Sequence, residues 1–139
     1  MTFTRFIVCG DSYSEGMSDE IINGKYRGWA DRVADQMAKA NPEFTYVNLA
    51  VRGKLIHQVV EDQVPVALTY VTGKETLVSF HAGANDALRP GYQSEVVTEL
   101  YKKTVRTIAP KLRGSVTPSS ATSNIGFLAR CVISSKEEY

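Results

Sequence analysis

Short apolar runs alternate with helical patterns over the first 110 residues of this chain. Residues 3–9, 44–49 and 76–80 are rich in β-branched and aromatic side chains, and they predict three strands. The run at 76–80, Thr-Leu-Val-Ser-Phe, is short and largely apolar, as is typical of a parallel strand buried on both faces. The other apolar positions recur at helical spacing and fall between or after these strands.

The first helix is predicted over residues 28–40. Trp29, Val33 and Met37 recur there every four residues, with Ala30 and Ala34 beside them, and this spacing is typical of a helix. An Asn-Pro pair follows directly, and proline cannot continue a helix.

Two further helices follow from the same spacing. Residues 55–60 predict a helix that ends near Pro65, and residues 66–71 either extend it beyond a kink or form a loop. Residues 95–109 predict the last helix, for which Ser94 is a suitable N-cap.

The order strand, helix, strand, helix, strand, helix predicts an α/β fold with a parallel sheet. Right-handed crossovers then place helices on both faces of that sheet. Residues 17–26 and 81–91 are polar or glycine-containing, and we predict loops there.

The alternation ends after Pro110. Residues 114–124 are rich in Ser and Thr, whereas the apolar run at 125–133 fits a helix or a fourth strand equally well. We predict an α/β domain over residues 1–113 and an irregular tail over 114–139. A sheet of three strands would have an open edge, through which we expect the chain to oligomerise.

Composition narrows the class of protein. The chain has 139 residues, 43% of them apolar, and a net charge of +1. These values are ordinary for one soluble domain and disfavour nucleic acid or an anionic membrane as a partner.

No apolar run is long enough to span a bilayer or to act as a signal peptide, so we predict a cytoplasmic protein. Two cysteines and two histidines show no zinc spacing, and Cys9 is expected to pack as a small hydrophobe. We predict neither a metal nor an organic cofactor.

Candidate chemistry lies in the loops that follow the three strands, because ligands of parallel sheets bind at the carboxyl ends of the strands. These loops carry Asp11-Ser12, Gly53 and Asn85-Asp86. A serine can attack as a nucleophile, while a glycine N–H and an asparagine carboxamide can donate to an oxyanion. Each residue taken singly is equally explained as a turn former or helix cap. Together they predict one nucleophile and two donors around one crevice.

These segments resemble the SGNH hydrolases, also called the GDSL lipase/esterase family. The segment FIVCGDSYSEG resembles the first block of that family, with Tyr13 where leucine often stands; VNLAVRGK resembles the second block and SFHAGANDAL the third. The three blocks occur in the family's order, within about the first 110 residues. The resemblance implies a flavodoxin-like, three-layer α/β/α fold and hydrolysis of small carboxylic esters, often acetyl or acyl esters.

The resemblance also implies roles for individual residues. Ser12 would be the nucleophile. Its own N–H, the Gly53 N–H and the Asn85 side chain would form the oxyanion hole. We further expect Asp11 and Asp86 to belong to the binding site.

The family's fourth block, a His with an Asp three residues before it, is not found. None of the six Asp residues of the chain is followed by His at that spacing. We therefore expect a chain truncated before that block, its C-terminal part incomplete, with low or absent activity, because loss of a triad member costs orders of magnitude in rate. His81, at the end of the third predicted strand, is a candidate substitute base that would reach Ser12 through a water, whereas His57 fits a helix surface.

Two other functions stay open. One is a non-catalytic module of the same fold that binds an acyl or carboxylate ligand. The other is a flavodoxin-like domain for phosphate or nucleotide binding, against which the first loop lacks the glycine spacing of a phosphate cradle.

Overall fold

The alternating pattern of the sequence appears directly in the structure. The computed structural model describes residues 2–113. The strands of this part of the chain are Arg5–Gly10 (β1), Glu20–Ile22 (β2), Lys25–Arg27 (β3), Thr45–Asn48 (β4) and Thr76–His81 (β5). Its helices are Ser12–Glu15 (α1), Trp29–Ala40 (α2), Ile56–Gln58 (α3), Val64–Tyr70 (α4), Ala84–Ala87 (α5) and Ser94–Arg113 (α6), and a π-helical segment, Val59–Gln63, joins α3 to α4.

The main sheet has three parallel strands in the order β4-β1-β5. The first strand of the chain is therefore central, and its pairing with β5 runs from Arg5↔Thr76 to Gly10↔His81. The chain's second and third parallel strands lie on either side of the first, which is how the flavodoxin-like strand order begins. The predicted α/β fold with a parallel sheet is confirmed.

Side chains of β1 alternate between two buried faces, as the two-residue period of a strand requires. On one face, Ile7 and Cys9 pack against the helical layer formed by α3, α4 and α6. On the other face, Phe6 and Val8 pack against α2. Helices thus cover both faces in three layers. Cys9 is fully buried, and burial raises its pKa to about 12, so it packs as the neutral small hydrophobe predicted.

The first predicted helix is confirmed, and the two alanines named in its pattern lie on its buried face. Ala30 and Ala34 are the buried residues of α2, whereas Val33 is 40% exposed. The two small side chains let the helix approach the sheet. Trp29 and Met37 are long enough to reach the same cluster from its margins, and the shorter Val33 is not.

The loop predicted over residues 17–26 is wrong, because β2 and β3 form an antiparallel hairpin there. Asn23 and Gly24 form its turn with φ of 52° and 76°. Positive φ at both central residues is the geometry of a type I′ turn, for which Asn-Gly is the preferred sequence. The strands are three residues long, too short for their alternation to be recognised. Arg27 ties the hairpin to α2 through an ion pair with Asp35 at 2.8 Å.

The helical pattern continues through both prolines. Residues 66–71 do extend the second helix, since α4 runs on to Tyr70. The π-helical segment precedes Pro65, and there the Val64 N–H donates five residues back to the Val59 carbonyl. The last helix continues through Pro110 to Arg113, so its predicted end at residue 109 is wrong.

The remaining differences concern short elements and the end of the chain. The loop predicted over residues 81–91 contains the one-turn helix α5. The predicted tail over 114–139, with its candidate fourth strand at 125–133, lies outside the described residues. Among residues 2–113, no helix combines the length and the apolar character that crossing a membrane needs.

Candidate active site

Ser12 lies at the first turn after the central strand and begins the one-turn helix α1. Asp11 caps this helix, since its Oδ1 accepts a hydrogen bond from the Tyr13 N–H at 3.1 Å. The turn ends at Gly16, which has a left-handed conformation with φ of 91°. Ser12 is only partly buried, so a small molecule has access to this turn.

Gly53 lies in the loop that follows β4, and this loop runs beside the end of β1. The Val51 N–H donates to the Gly10 carbonyl at 3.1 Å. Asn48 holds the same loop, because its Nδ2 donates to the Ser14 carbonyl at 2.8 Å and its Oδ1 accepts from the Ala50 N–H at 3.0 Å. The first two strand-end loops are therefore neighbours, as the order of the strands predicts.

Gly53 itself is exposed and has φ of 77°. The Lys54 N–H donates to the Val51 carbonyl at 3.4 Å, which closes a reverse turn with Gly53 at its third position. Positive φ at that position is the mark of a type II turn and favours glycine. The central peptide of such a turn is not used by the turn's own hydrogen bond. Its N–H, that of Gly53, is therefore left for another acceptor.

Asn85 lies in α5, two residues after Gly83, whose φ is 105°. Its Nδ2 donates to the Lys54 carbonyl at 3.0 Å, next to Gly53 in the chain. Asp86 joins the same two loops, since its Oδ2 accepts from the Ile56 N–H at 2.9 Å and so caps α3. The structure therefore brings the Asn85 and Gly53 loops into direct contact.

The Ser12 and Gly53 N–H groups have no protein acceptor within residues 2–113. Asn85 uses one hydrogen of its amide for Lys54, and an amide carries two. The three strand-end loops thus each keep a donor that no described residue uses. Such donors can bind the negative oxygen that forms when a nucleophile attacks a carbonyl.

His81 ends β5, opposite Gly10 in the sheet. Its ring centroid lies 5.0 Å from that of Tyr13, the residue after Ser12. Its Nδ1 is buried and has no hydrogen-bond partner among the described residues. An imidazole acts well as a base when a carboxylate holds its second nitrogen, and residues 2–113 supply none here. The role of His81 as a substitute base stays a prediction.

Asp11 and Asp86 have structural contacts in the described chain. Asp11 is 1% exposed and caps α1, although its Oδ2 is buried without a partner. Asp86 caps α3. Their predicted part in binding a ligand is not decided by these contacts. Within residues 2–113, no three His, Cys, Asp or Glu side chains gather into a group that could hold a metal ion.

Sequence reasoning missed two side chains that hold the site's backbone. Gln63, 5% exposed in the π-helical segment, hydrogen bonds to the Gly10 N–H at 2.8 Å. Tyr101 of α6 accepts from the Ala82 N–H at 2.8 Å, directly before Gly83. A polar residue at a core position, as Gln63 is between Val59 and Ala67, was the one available signal.

Comparisons with known proteins identify the family and the fold. The model of the GDSL-like lipase/acylhydrolase family matches residues 8–125. A comparison with curated protein sequences finds no match.

Solved structures provide the fold-level comparison. TesA superimposes with a TM-score of 0.64 at 18% identity, covering 94% of this chain and 71% of TesA. The psychrotrophic esterase EstA from Pseudoalteromonas sp., in a structure inhibited by monoethylphosphonate, gives 0.60 at 15% identity, with 96% and 72% covered. A member of the lipolytic protein G-D-S-L family from Veillonella parvula gives 0.60 at 19%, with 96% and 70% covered. At these identities the likeness is one of fold.

Proposed function

Because the chain belongs to the GDSL-like lipase/acylhydrolase family, we propose that it hydrolyses small carboxylic esters with Ser12 as its nucleophile. The observation that carries this proposal is the hydrogen bond from Asn85 Nδ2 to the Lys54 carbonyl at 3.0 Å, since it joins the two loops that supply the oxyanion donors. The Ser12 turn adjoins the first of these loops through the bond between Val51 and Gly10.

The proposed reaction has two steps. Ser12 Oγ attacks the acyl carbon and loses its proton, and the carbonyl oxygen becomes an oxyanion. The Ser12 and Gly53 N–H groups and the Asn85 amide donate to that oxygen. The alcohol leaves with the proton that Ser12 gave up, and an acyl-serine remains. Water then adds to the acyl carbon, the carboxylic acid leaves, and Ser12 Oγ takes back a proton from that water.

We propose that this chain turns esters over slowly. Neither His57 nor His81 has an Asp three residues before it in the 139 residues. His81 has no carboxylate on its Nδ1 among residues 2–113, so an imidazole oriented for proton transfer is lacking there. Removing a triad member leaves roughly 10³- to 10⁴-fold catalysis over water, which comes from the oxyanion donors and from binding. His81 acting through a water is the proposed source of any rate above this residual catalysis.

The same observation on His81 favours a second candidate, a carboxylate-binding module without turnover. The crevice keeps its donors in either case, and a carboxylate resembles the charge of the oxyanion. The two candidates differ in whether Ser12 changes covalently.

Hydrolysis of p-nitrophenyl acetate decides between them. We expect slow turnover that Ser12→Ala reduces to the background rate. The matched control is Ser14→Ala, because the Ser14 hydroxyl is buried and has no hydrogen-bond partner among the described residues. Equal rates for wild type and Ser12→Ala would refute the esterase, and saturable binding of a boronate without turnover would favour the binding module. Rapid stoichiometric labelling of Ser12 by a fluorophosphonate would show that a competent base exists.

A further inference from the structure

Glu15 and Arg52 link the loop that carries Ser12 to the loop that carries Gly53. The Arg52 backbone N–H donates to Glu15 Oε2 at 2.8 Å. The guanidinium of the same arginine donates from Nη2 to Oε1 at 2.7 Å and from Nε to Oε2 at 3.1 Å. One carboxylate therefore binds both the side chain and the main chain of Arg52, in the two-pronged geometry that makes Arg–carboxylate pairs strong.

Tyr26 holds the arginine on its other side. The guanidinium carbon lies 4.8 Å from the centroid of the Tyr26 ring, within the range of a cation–π contact. Arg52 Nη1 also donates to the Tyr26 hydroxyl at 3.3 Å. Tyr26 belongs to the β2–β3 hairpin, so three separate segments of the chain meet at Arg52.

Each member of the pair lies in a segment that carries one of the proposed catalytic groups. Glu15 ends the one-turn helix that Ser12 begins. Arg52 is bonded directly to Gly53, and its own N–H is the one that Glu15 accepts. On the far side of Gly53, the Lys54 carbonyl is held by Asn85. The Gly53 peptide thus lies between two anchored residues.

We propose that Glu15 and Arg52 are a positioning pair, which holds the Gly53 N–H in the orientation that an oxyanion beside Ser12 requires. The inference rests on the proposed esterase function. Neither side chain touches the substrate; both act through the Gly53 peptide. The alternative is an ordinary surface ion pair, which contributes little to stability and nothing to turnover.

The two explanations differ in which kinetic constant a substitution of either residue changes. An oxyanion exists only in the transition state, so a displaced donor lowers kcat and leaves KM nearly unchanged. We expect Arg52→Ala and Glu15→Ala each to lower kcat for p-nitrophenyl acetate about tenfold, less than the 10²- to 10³-fold that follows outright loss of a donor. The double variant should be no slower than either single variant, because both substitutions break one unit.

Conservative variants and a matched control sharpen this test. Arg52→Lys keeps the charge and the backbone N–H but loses the two-pronged contact, so its kcat should lie between those of wild type and Arg52→Ala. Lys102→Ala breaks the ion pair with Glu99 on α6, a pair of similar length at 2.8 Å, and should leave kcat unchanged. Single variants with wild-type kcat, or a double variant slowed by the product of both effects, would overturn the proposal.

A readout independent of catalysis separates this proposal from the esterase itself. In ¹⁵N-labelled protein, Arg52→Ala should shift the Gly53 amide resonance and speed its exchange with solvent, whereas Lys102→Ala should do neither. If the wild type hydrolysed no ester but Gly53 responded in this way, the esterase would fail and the positioning role would stand. An unchanged Gly53 amide in Arg52→Ala would refute the positioning role, whatever the turnover.

Discussion

Gln63 pairs with Gly10 through both ends of its carboxamide. The Gly10 N–H donates to Gln63 Oε1 at 2.8 Å, and Gln63 Nε2 donates to the Gly10 carbonyl at 2.9 Å. A helical side chain thereby satisfies the last residue of the central strand, two positions before Ser12. Gln63 lies in the π-helical segment, and such segments occur frequently at functional sites.

Replacing Gln63 by leucine should therefore lower the free energy of unfolding. The Gly10 N–H would be buried without an acceptor, which costs about 1–3 kcal/mol. Urea unfolding followed by circular dichroism measures the change. Gln36→Leu, an exposed glutamine on α2, is the control and should stay within about 0.5 kcal/mol of wild type. Equal midpoints for both variants would mean that the Gly10 pairing contributes nothing.

Gly28→Ala should also destabilise the protein, because two glycines touch there through their backbones. A Cβ on Gly28 would lie 2.5 Å from the Gly16 Cα. Relief requires the two segments to separate, at a cost of roughly 1–3 kcal/mol. Gly24→Ala is the comparison: its Cβ would meet nothing within 4 Å, so that variant bears only the strain of φ at 76°, about 1 kcal/mol. A smaller loss for Gly28→Ala than for Gly24→Ala would contradict the close approach.

Cys9 should resist alkylation in the folded state. Burial raises the pKa of its thiol to about 12, and only the thiolate reacts, so at pH 8 the group is both neutral and inaccessible. Iodoacetamide treatment followed by peptide mass spectrometry should leave the Cys9 peptide unmodified until guanidinium is added. Complete labelling without denaturant would mean that β1 opens readily.

Acidification should weaken the link between Glu15 and Arg52. Hydrogen bonds from Arg52 hold the pKa of Glu15 below its usual value of 4.5. The pKa is thus lower in the folded than in the unfolded protein. The resulting stabilisation is complete above the unfolded pKa and is lost as pH falls through the folded one. Urea midpoints between pH 6 and pH 3 should fall less steeply for Glu15→Gln than for wild type; parallel curves would exclude this contribution.

Asn85→Ala should lower kcat for p-nitrophenyl acetate by about 10²- to 10³-fold, the usual effect of removing one oxyanion donor. KM should change little, since the donor acts on charge that develops in the transition state. The variant also loses the bond to the Lys54 carbonyl, so urea unfolding must be measured beside the rate. A loss of stability with unchanged kcat would assign Asn85 to the loop alone.

Much of the fold follows from local pattern. The three parallel strands and the three long helical stretches each repeat their period often enough to be recognised, because a buried face must be apolar along its whole length. The order of these elements then restricts the sheet to parallel strands with helices on both faces. Motifs that follow the strands could also be recognised, and on them rest the predictions for Ser12, Gly53 and Asn85.

The hairpin was not predicted because each of its strands has only three residues. An Asn-Gly pair such as Asn23-Gly24 indicates a hairpin only when strands can be recognised on both sides of it. The continuation of α6 through Pro110 was not predicted, because local sequence favours a helix end at proline. In the folded chain, packing of Ile108 and Leu112 in the core outweighs the loss of one backbone hydrogen bond.

The sequence by itself determined the three parallel strands and the long helical stretches, because their periodic patterns depend on neighbours within a few positions. Tertiary structure alone decided which side chains hold the site. The Gln63–Gly10 pair spans 53 positions and the Glu15–Arg52 pair spans 37, so neither leaves a periodic trace. Polar side chains so far apart in the chain meet only when it has folded, and for Gln63 burial then removes the water that would otherwise compete for Gly10.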